Sequence, residues 1–298
     1  MMPLSIANVA HIGSLDVYSG SLLMVNAIDH TTLKIYPVGY EDHGGDPWTR
    51  MYMHDCPDCT TLLTPTTRVS RVSFKNNVNT VALWCQANPQ LTTLDISGST
   101  AMTQLICNGS NLKSLNMKGV FLNDLRVFGN ELSTIDLSEV NPGFVIIQVF
   151  DNKLTTVNVT ASANAEAFQV HENLLTSLNI TSSGVGPHGP TKILCYTNLL
   201  PTLDVRMCEK LDTLTCHANL LTSLYISGTT LLSSIDCHDN KLSEESVDNI
   251  LTALTQSGMA DVGTLDLTGG TNAAPSIVGT TAITYLTTGP KSWTITTN

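Results

Sequence analysis

At 298 residues, with 42% hydrophobic but only 5% aromatic content, the chain can bury a sizeable core, and that core must be aliphatic. Its 14 Lys and Arg against 25 Asp and Glu give a formal charge of −11, and the basic residues do not cluster, so no phosphate-binding stripe exists and no nucleic-acid partner is expected. No stretch reaches membrane-spanning length, and the start Met1-Met-Pro-Leu-Ser-Ile-Ala-Asn carries neither a basic region nor an apolar run of the export type, so neither membrane insertion nor export is expected.

Residues 1–82 carry short alternations of apolar and polar residues, the period of a half-buried strand, at Leu15-Asp16-Val17, Leu33-Lys34-Ile35, Met51-Tyr52-Met53 and Val72-Ser73-Phe74. Their irregular spacing predicts divergent opening repeats that cap the core. Gly39–Pro47, with Asp42, His43, Gly44, Gly45 and Asp46, has the chemistry of an exposed turn. His54-Asp55-Cys56-Pro57-Asp58-Cys59 is a single C-x-x-C with one His; a zinc site wants a second pair, so these read as turn residues.

Between residues 83 and 242 one motif recurs: an apolar-x-apolar pair, two residues, Asn, one residue, Leu. The copies are Leu105/Cys107/Ser110/Leu112, Leu125/Val127/Asn130/Leu132, Ile147/Val149/Asn152/Leu154, Phe168/Val170/Asn173/Leu175, Ile193/Cys195/Asn198/Leu200, Leu214/Cys216/Asn219/Leu221 and Ile235/Cys237/Asn240/Leu242. Successive copies start 20, 22, 21, 25, 21 and 21 residues apart, which predicts one turn of a right-handed coil per copy, stacked on the last. A second, weaker strand signal lies in every turn: Leu94-Asp95-Ile96, Leu115-Asn116-Met117, Ile135-Asp136-Leu137, Val157-Asn158-Val159, Leu178-Asn179-Ile180, Leu203-Asp204-Val205 and Leu224-Tyr225-Ile226. Two short parallel strands per turn leave no room for a helix.

An inward Asn costs free energy unless its amide and carbonyl are both satisfied. Stacked Asn side chains can bond the main-chain groups that lose their ladder partners where strand becomes turn, reaching the rungs above and below. Cys107, Cys195, Cys216 and Cys237, with Cys85 in an earlier divergent copy, form a column of small apolar fillers. Rungs about 4.8 Å apart hold neighbouring thiols too far apart for a bridge, so these cysteines are expected to be reduced. The spacing and the Cys column resemble leucine-rich repeats of the internalin type, in the 21-residue variant with a cysteine column. The resemblance implies a curved solenoid whose strand sheet is a concave binding surface for protein or glycan. The chain departs from that pattern at Ser110, at Val127, Val149 and Val170 in place of Cys, and in the longer turn Ser182–Pro190.

In residues 243–298 the period breaks. Val247, Ile250, Leu251 and Leu254 recur at i, i+3, i+4 and i+7, predicting an amphipathic helix over Ser243–Ser257 that stops at Gly258. A strand at Thr264–Leu267, a turn at Gly269-Gly270, a second helix after Pro275 carrying Ile277, Ile283 and Leu286, and a strand at Trp293–Ile295 complete an α/β cap over the open end. Leu265-Asp-Leu-Thr-Gly-Gly-Thr-Asn-Ala-Ala-Pro-Ser276 and Trp293-Thr-Ile-Thr-Thr-Asn298 resemble the C-terminus of repeat proteins among tailed-phage and prophage virion genes, which implies a place in the tail, baseplate or head decoration.

The position after the second anchor reads Gln86, Asn108, Phe128, Phe150, His171, Tyr196, His217 and His238. Six consecutive rings in register predict an exposed ridge that stacks on sugar rings or anchors a partner protein. Alternatively, the rings only stack on one another and stiffen the sheet. The column between the anchors, including Trp84, Arg126 and Asp236, borders this candidate site. His217 and His238 with Asp236 and Asp239 hold no ligand set in fixed geometry, so no metal and no cofactor are expected. The sequons Asn158-Val-Thr160 and Asn179-Ile-Thr181 fall in predicted strands and read as coincidence. No nucleophile elbow, phosphate loop or zinc-protease motif occurs, and Asp95, Asp136, Asp204 and Asp266 recur at one phase of the strand signal, as surface positions do, so no catalytic residue is expected.

The sequence thus points to a non-enzymatic structural and binding protein of a phage virion, whose partners are other virion proteins or a host-surface protein or glycan, with homo-oligomerisation an option. A bacterial internalin-like adhesin, on a cell surface or secreted, and a glycan-active enzyme are the alternatives.

Overall fold

The computed structural model describes residues 81–89, 91–137, 146–161, 166–182, 189–256 and 258–298, with strand backbone at 4–9, 15–16, 22–27, 33–36, 50–54, 61–63 and 71–75. The predicted turn at Gly39–Pro47 and the Asp55–Cys59 segment lie outside these residues. The chain divides into two compact units, Met1–Asn141 and Pro142–Asn298, a division that falls inside the repeat array.

In the first unit the strands alternate between two parallel sheets, as two extended segments per coil require. One sheet takes Leu4–Val9, Leu22–Ala27, Arg50–His54, Arg71–Lys75, Thr93–Asp95 and Ser114–Asn116; the other takes Leu15–Asp16, Leu33–Tyr36, Thr61–Leu63, Ala82–Trp84, Gln104–Ile106 and Asp124–Arg126. Register places like motif positions side by side: Leu83 beside Leu105, and Leu105 beside Leu125. Leu83, Cys85, Leu94, Ile96, Leu105, Cys107, Leu125 and Val127 fill the interior with no exposed surface, and Phe74 joins them. Ile135–Leu137, a predicted strand, is not one: Ile135 is only half-buried, and the segment has no ladder of its own.

The second unit builds its anchor sheet from Ile146–Gln148, Ala167–Gln169, Lys192–Leu194, Thr213–Thr215, Ser234–Asp236, Val262–Asp266 and Ser292–Thr296, all parallel. The weaker strands do not form one row. Thr156–Ala161 pairs with Ser177–Ser182 and Thr202–Asp204 with Ser223–Tyr225, as two separate ladders. The break coincides with the 25-residue copy. In each unit the coils build a mostly β, parallel leucine-rich-repeat solenoid, and helices follow at the C-terminal end of the second.

Helix α1, Glu244–Thr255, starts at Ser243, whose side chain accepts from the Ser246 N–H, and two acidic residues follow in the first turn where the helix dipole favours them. It buries Val247, Ile250, Leu251 and Leu254, the predicted stripe. Helix α2, Ile277–Thr288, is capped by Ser276, and Asp248 of α1 accepts from both the backbone N–H and the hydroxyl of that cap. Its buried face is Gly279, Ala282 and Leu286, so of the predicted Ile277, Ile283 and Leu286 only the last is buried; Ile277 is 86% exposed. The reason is the close approach of the helices. A side chain at Gly279 would run into Asp248, Pro275 and Leu251, so α2 packs through its smallest residue and turns Ile277 outward. Buried Lys291 ties the last strand down by donating to the carbonyls of Met259 (2.9 Å) and Ala260 (3.1 Å), while the Trp293 indole also donates to Ala260.

The Asn column holds the coils together through a repeated set of bonds. Asn219 Nδ2 donates to the carbonyls of Cys216 and His217 in its own rung and to Cys195 in the rung before, while its Oδ1 accepts from Leu200 N–H of that preceding rung, all within 3.0–3.2 Å. Asn130, Asn173, Asn198 and Asn240 repeat the pattern. These bonds run to the same rung and the preceding one, where the sequence predicted both neighbours. The residue before each Asn takes a left-handed conformation, as in Asp151, Glu172, Thr197, Ala218 and Asp239 at φ 51–53°, and this turns the amide inward. The column continues into the cap: Asn272 accepts from Leu242 N–H and donates to Cys237 and Leu267 carbonyls.

Asn219→Ala should lower the unfolding free energy by at least about 1–3 kcal/mol, because buried groups lose their partners. Asn219→Asp should not rescue it, since a carboxylate cannot donate to the three carbonyls. Urea denaturation, with the exposed Lys241→Ala as control, checks both.

Candidate functional site

The left-handed residue in each rung positions the next rung's ring. Its N–H donates to the carbonyl after the second anchor one coil on: Asp151 to His171 (3.1 Å), Glu172 to Tyr196 (3.0 Å), Thr197 to His217 (3.0 Å) and Ala218 to His238 (3.1 Å). The side chains at that position therefore lie one rung apart on one face of the sheet. In the second unit five rings stack in sequence. Centroids of Phe150 and His171, His171 and Tyr196, Tyr196 and His217, and His217 and His238 are 4.3, 4.3, 4.7 and 4.3 Å apart, with planes inclined by 12–17°.

The expectation of an exposed ridge needs correction. Phe150, Tyr196, His217 and His238 are half-buried and His171 is buried, because each ring covers its neighbour's face. What reaches solvent is a row of ring edges. Asp239 continues the bonding pattern by donating to the Thr268 carbonyl at 2.8 Å, so Thr268 occupies the same position in the cap without a ring.

The C-terminal end of the column is acidic. Asp236 Oδ1 lies 2.5 Å from His238 Nδ1, and Asp239 Oδ2 lies 3.6 Å from Nε2. Strand register sets Asp266 directly beside Asp236, on the anchor sheet, and this corrects its assignment to the weaker strand series; after α1 the chain re-enters at the anchor position. Asp266 accepts from the Thr268 N–H and hydroxyl and from the Thr296 hydroxyl. Ligand atoms of Asp236, His238 and Asp266 lie within 4.8 Å of one another, but these hydrogen bonds already account for the grouping.

Trp84, Arg126 and Phe128 belong to the first unit, where Trp84 and Arg126 join a different, polar arrangement and Phe128 accepts the Gly109 N–H through its backbone carbonyl. The Trp84 indole donates to Gln104 Oε1 (2.6 Å), Gln104 Nε2 donates to Asp124 Oδ2 (2.9 Å), and Arg126 grips Asp124 through Nε and Nη2 at 2.8 and 3.0 Å. Gln104 and Asp124 were not singled out in the sequence; both precede a first anchor, a position at which other rungs carry Ile, Ala, Lys, Thr and Ser and which therefore shows no pattern. The cap residues Asp266, Thr268, Asn272 and Thr296 were also missed as partners of the column. Their signal was the anchor pair Leu265 and Leu267, followed by an Asn delayed by Gly269-Gly270.

The three imidazoles differ in proton affinity. Burial holds His171 down at about 4, outweighing the Leu194 backbone and Asp151, and its Nδ1 has no hydrogen-bond partner among the described residues. Burial also lowers His217, whose Nδ1 is likewise unpartnered, with Asp236 opposing the shift. At His238 burial pulls down as well, but the Asp236 hydrogen bond and the charges of Asp236, Asp239 and Asp266 prevail and raise it. Along the column, then, the buried middle imidazoles hold a proton less readily than a free histidine, and His238 among its carboxylates holds one more readily. The column thiols Cys85, Cys107, Cys195, Cys216 and Cys237 are free and buried, and burial raises Cys195 to about 12, so they serve as packing.

No protein-family model matches the chain, and no curated protein sequence does. Among solved structures it is similar to YopM from Yersinia enterocolitica WA-314, with 15% identity and a TM-score of 0.43 over 78% of this chain and 52% of that one. It is also similar to the functional domain of InlJ from Listeria monocytogenes, described as including a cysteine ladder, with 17% identity and a TM-score of 0.35 over 85% of this chain and 64% of that one. The chain thus spans between half and two thirds of the length of these two proteins.

The buried imidazole has a stability consequence. Because His171 titrates at about 4 when folded and near 6.5 when unfolded, the unfolded chain takes up the proton first, and stability should fall as pH drops from about 6.5 to about 4. His238 acts in the opposite sense, stabilising below its ordinary value and losing that contribution as pH rises through its raised one. His171→Phe keeps a ring in the stack and should flatten the acid-side loss in pH-dependent urea melts.

Proposed function

We propose that this chain is a non-enzymatic recognition module that binds a partner protein along the edge-on ring column of its second unit. The observation that carries this reading is the continuous stack of Phe150, His171, Tyr196, His217 and His238. Stacked rings on a backbone-pinned row lose little conformational freedom on binding, which is how Tyr-rich hot spots gain affinity. Their faces are covered, so a sugar ring has no open aromatic surface to lie on. The edges instead offer C–H groups, the Tyr196 hydroxyl and imidazole nitrogens, suited to a protein surface. Asp236, Asp239 and Asp266 favour a partner with a basic residue at that end. Trp84, Arg126 and Phe128 offer a second contact area on the first unit.

The carboxylates recur along the repeat or are held by hydrogen bonds, which supports a binding role over catalysis. We place the module on a phage particle, in the tail, baseplate or head decoration, where it meets other virion proteins or the host surface; the likeness of residues 265–276 and 293–298 to virion repeat proteins supports that location. An internalin-like adhesin, on the bacterial surface or secreted, uses the same sheet and is favoured by the cysteine column.

Fluorescently labelled protein should bind host cells in a manner removed by protease treatment of the cells and kept after periodate. Tyr196→Ala should weaken that binding at least about tenfold. Periodate-sensitive binding, or a Tyr196→Ala variant equal to wild type, would overturn the proposal. Capsid, portal or tail-tube genes beside the coding gene are expected for a virion component, and cell-surface genes for an adhesin.

A further inference from the structure

A second surface lies at the turn of the repeat, at the residue between Asn and Leu. There the sequence reads Asn111, Glu131, Lys153, Leu174, Leu199, Leu220 and Lys241. Each backbone N–H at this position in the later rungs donates to the carbonyl of the motif Leu one rung back: Leu174 to Leu154, Leu199 to Leu175, Leu220 to Leu200 and Lys241 to Leu221, at 2.9–3.1 Å. The four side chains therefore stand in a row at the rung spacing. Leu174, Leu199 and Leu220 are 47%, 42% and 38% exposed.

The fold does not need leucine here, since other rungs carry Asn, Glu or Lys at the same place. Isolated exposed leucines are ordinary, but three successive ones in register form a contiguous apolar strip. Pairing the row with itself about Leu199 would set Lys241 of one copy against the lysine at the opposite end, Lys153, of the other, a like-charge juxtaposition. A second copy is therefore a poor occupant.

We infer that the row Leu174–Leu199–Leu220 is a docking strip for one amphipathic helix of a partner protein, with a carboxylate of that helix meeting Lys241. Two rungs at about 4.8 Å each span close to 10 Å, and residues i and i+7 of a helix lie about 10.5 Å apart. Helix residues i, i+3 or i+4, and i+7 thus match the three leucines. A carboxylate at i+10 or i+11 reaches the next rung, where Lys241 is exposed. This surface is distinct from the ring column, whose role the inference does not require.

The probe is a fluorescein-labelled helical peptide with Leu at i, i+4 and i+7 and Glu at i+11, read by fluorescence anisotropy. Leu199→Asp should bind it at least about tenfold more weakly at an unchanged melting temperature. Lys241→Glu should weaken the Glu peptide and favour its Glu-to-Lys counterpart. Leu231→Asp, an exposed position between the weaker strand and the next anchor strand, should leave binding unchanged. Equal binding by wild type and Leu199→Asp would overturn the inference. So would a wild-type dimer in sedimentation that Leu199→Asp dissolves.

Discussion

Everything in each unit depends on how a buried Asn carboxamide is satisfied. Its two ends reach backbone groups that the strand-to-turn transition leaves without ladder partners, and its bonds to the preceding rung fix the stacking register. Without this, rungs of three-residue strands would have little to align them, since such strands make few ladder bonds and their apolar anchors pack without direction. The left-handed residue before the Asn serves the same end twice: it aims the amide inward, and its own N–H pins the carbonyl of the ring position one coil on. The core ladder and the surface column are products of one turn.

That linkage explains why the rings stack so regularly. A residue in this position is set by its backbone, and a flat side chain there has a flat neighbour one rung away. Face-to-face contact takes the rings partly out of water, which lowers the basicity of His171 and His217, while the last ring, His238, meets three carboxylates and gains basicity. A single geometric repeat thus yields graded chemistry, because the environment changes along the column while the spacing does not. The leucine strip at the turn follows the same logic, with half-exposed residues placed in register by the ladder beneath them.

How much of this was legible follows from where the information lies. Most of the strands, the Asn and Cys columns, both helices and the ring positions from Phe150 to His238 are local patterns, and the period alone makes like positions neighbours. The direction of the Asn bonds was not legible, since the motif is symmetric with respect to the rung before and the rung after; only the handedness of the turn at Thr197 or Ala218 chooses. Asp266 was assigned to the wrong series because its Leu-Asp-Leu triplet looks like a weaker strand, whereas the detour through α1 returns the chain at the anchor position. Ile277 looked like core because hydrophobicity does not reveal that Gly279 brings α2 against Asp248 and turns its neighbour outward.

Sequence by itself therefore determined the coil, its period, the aliphatic core and which residues share a column, since each of these is a consequence of spacing. Tertiary structure alone decided that ring faces are closed and edges open, that Asp236 and Asp266 lie side by side at His238, and that Leu174, Leu199 and Leu220 stay in solvent. The physical reason is that exposure and proton affinity depend on what the neighbouring rungs and the cap place against a side chain, and a repeat pattern specifies the neighbour's position without its packing.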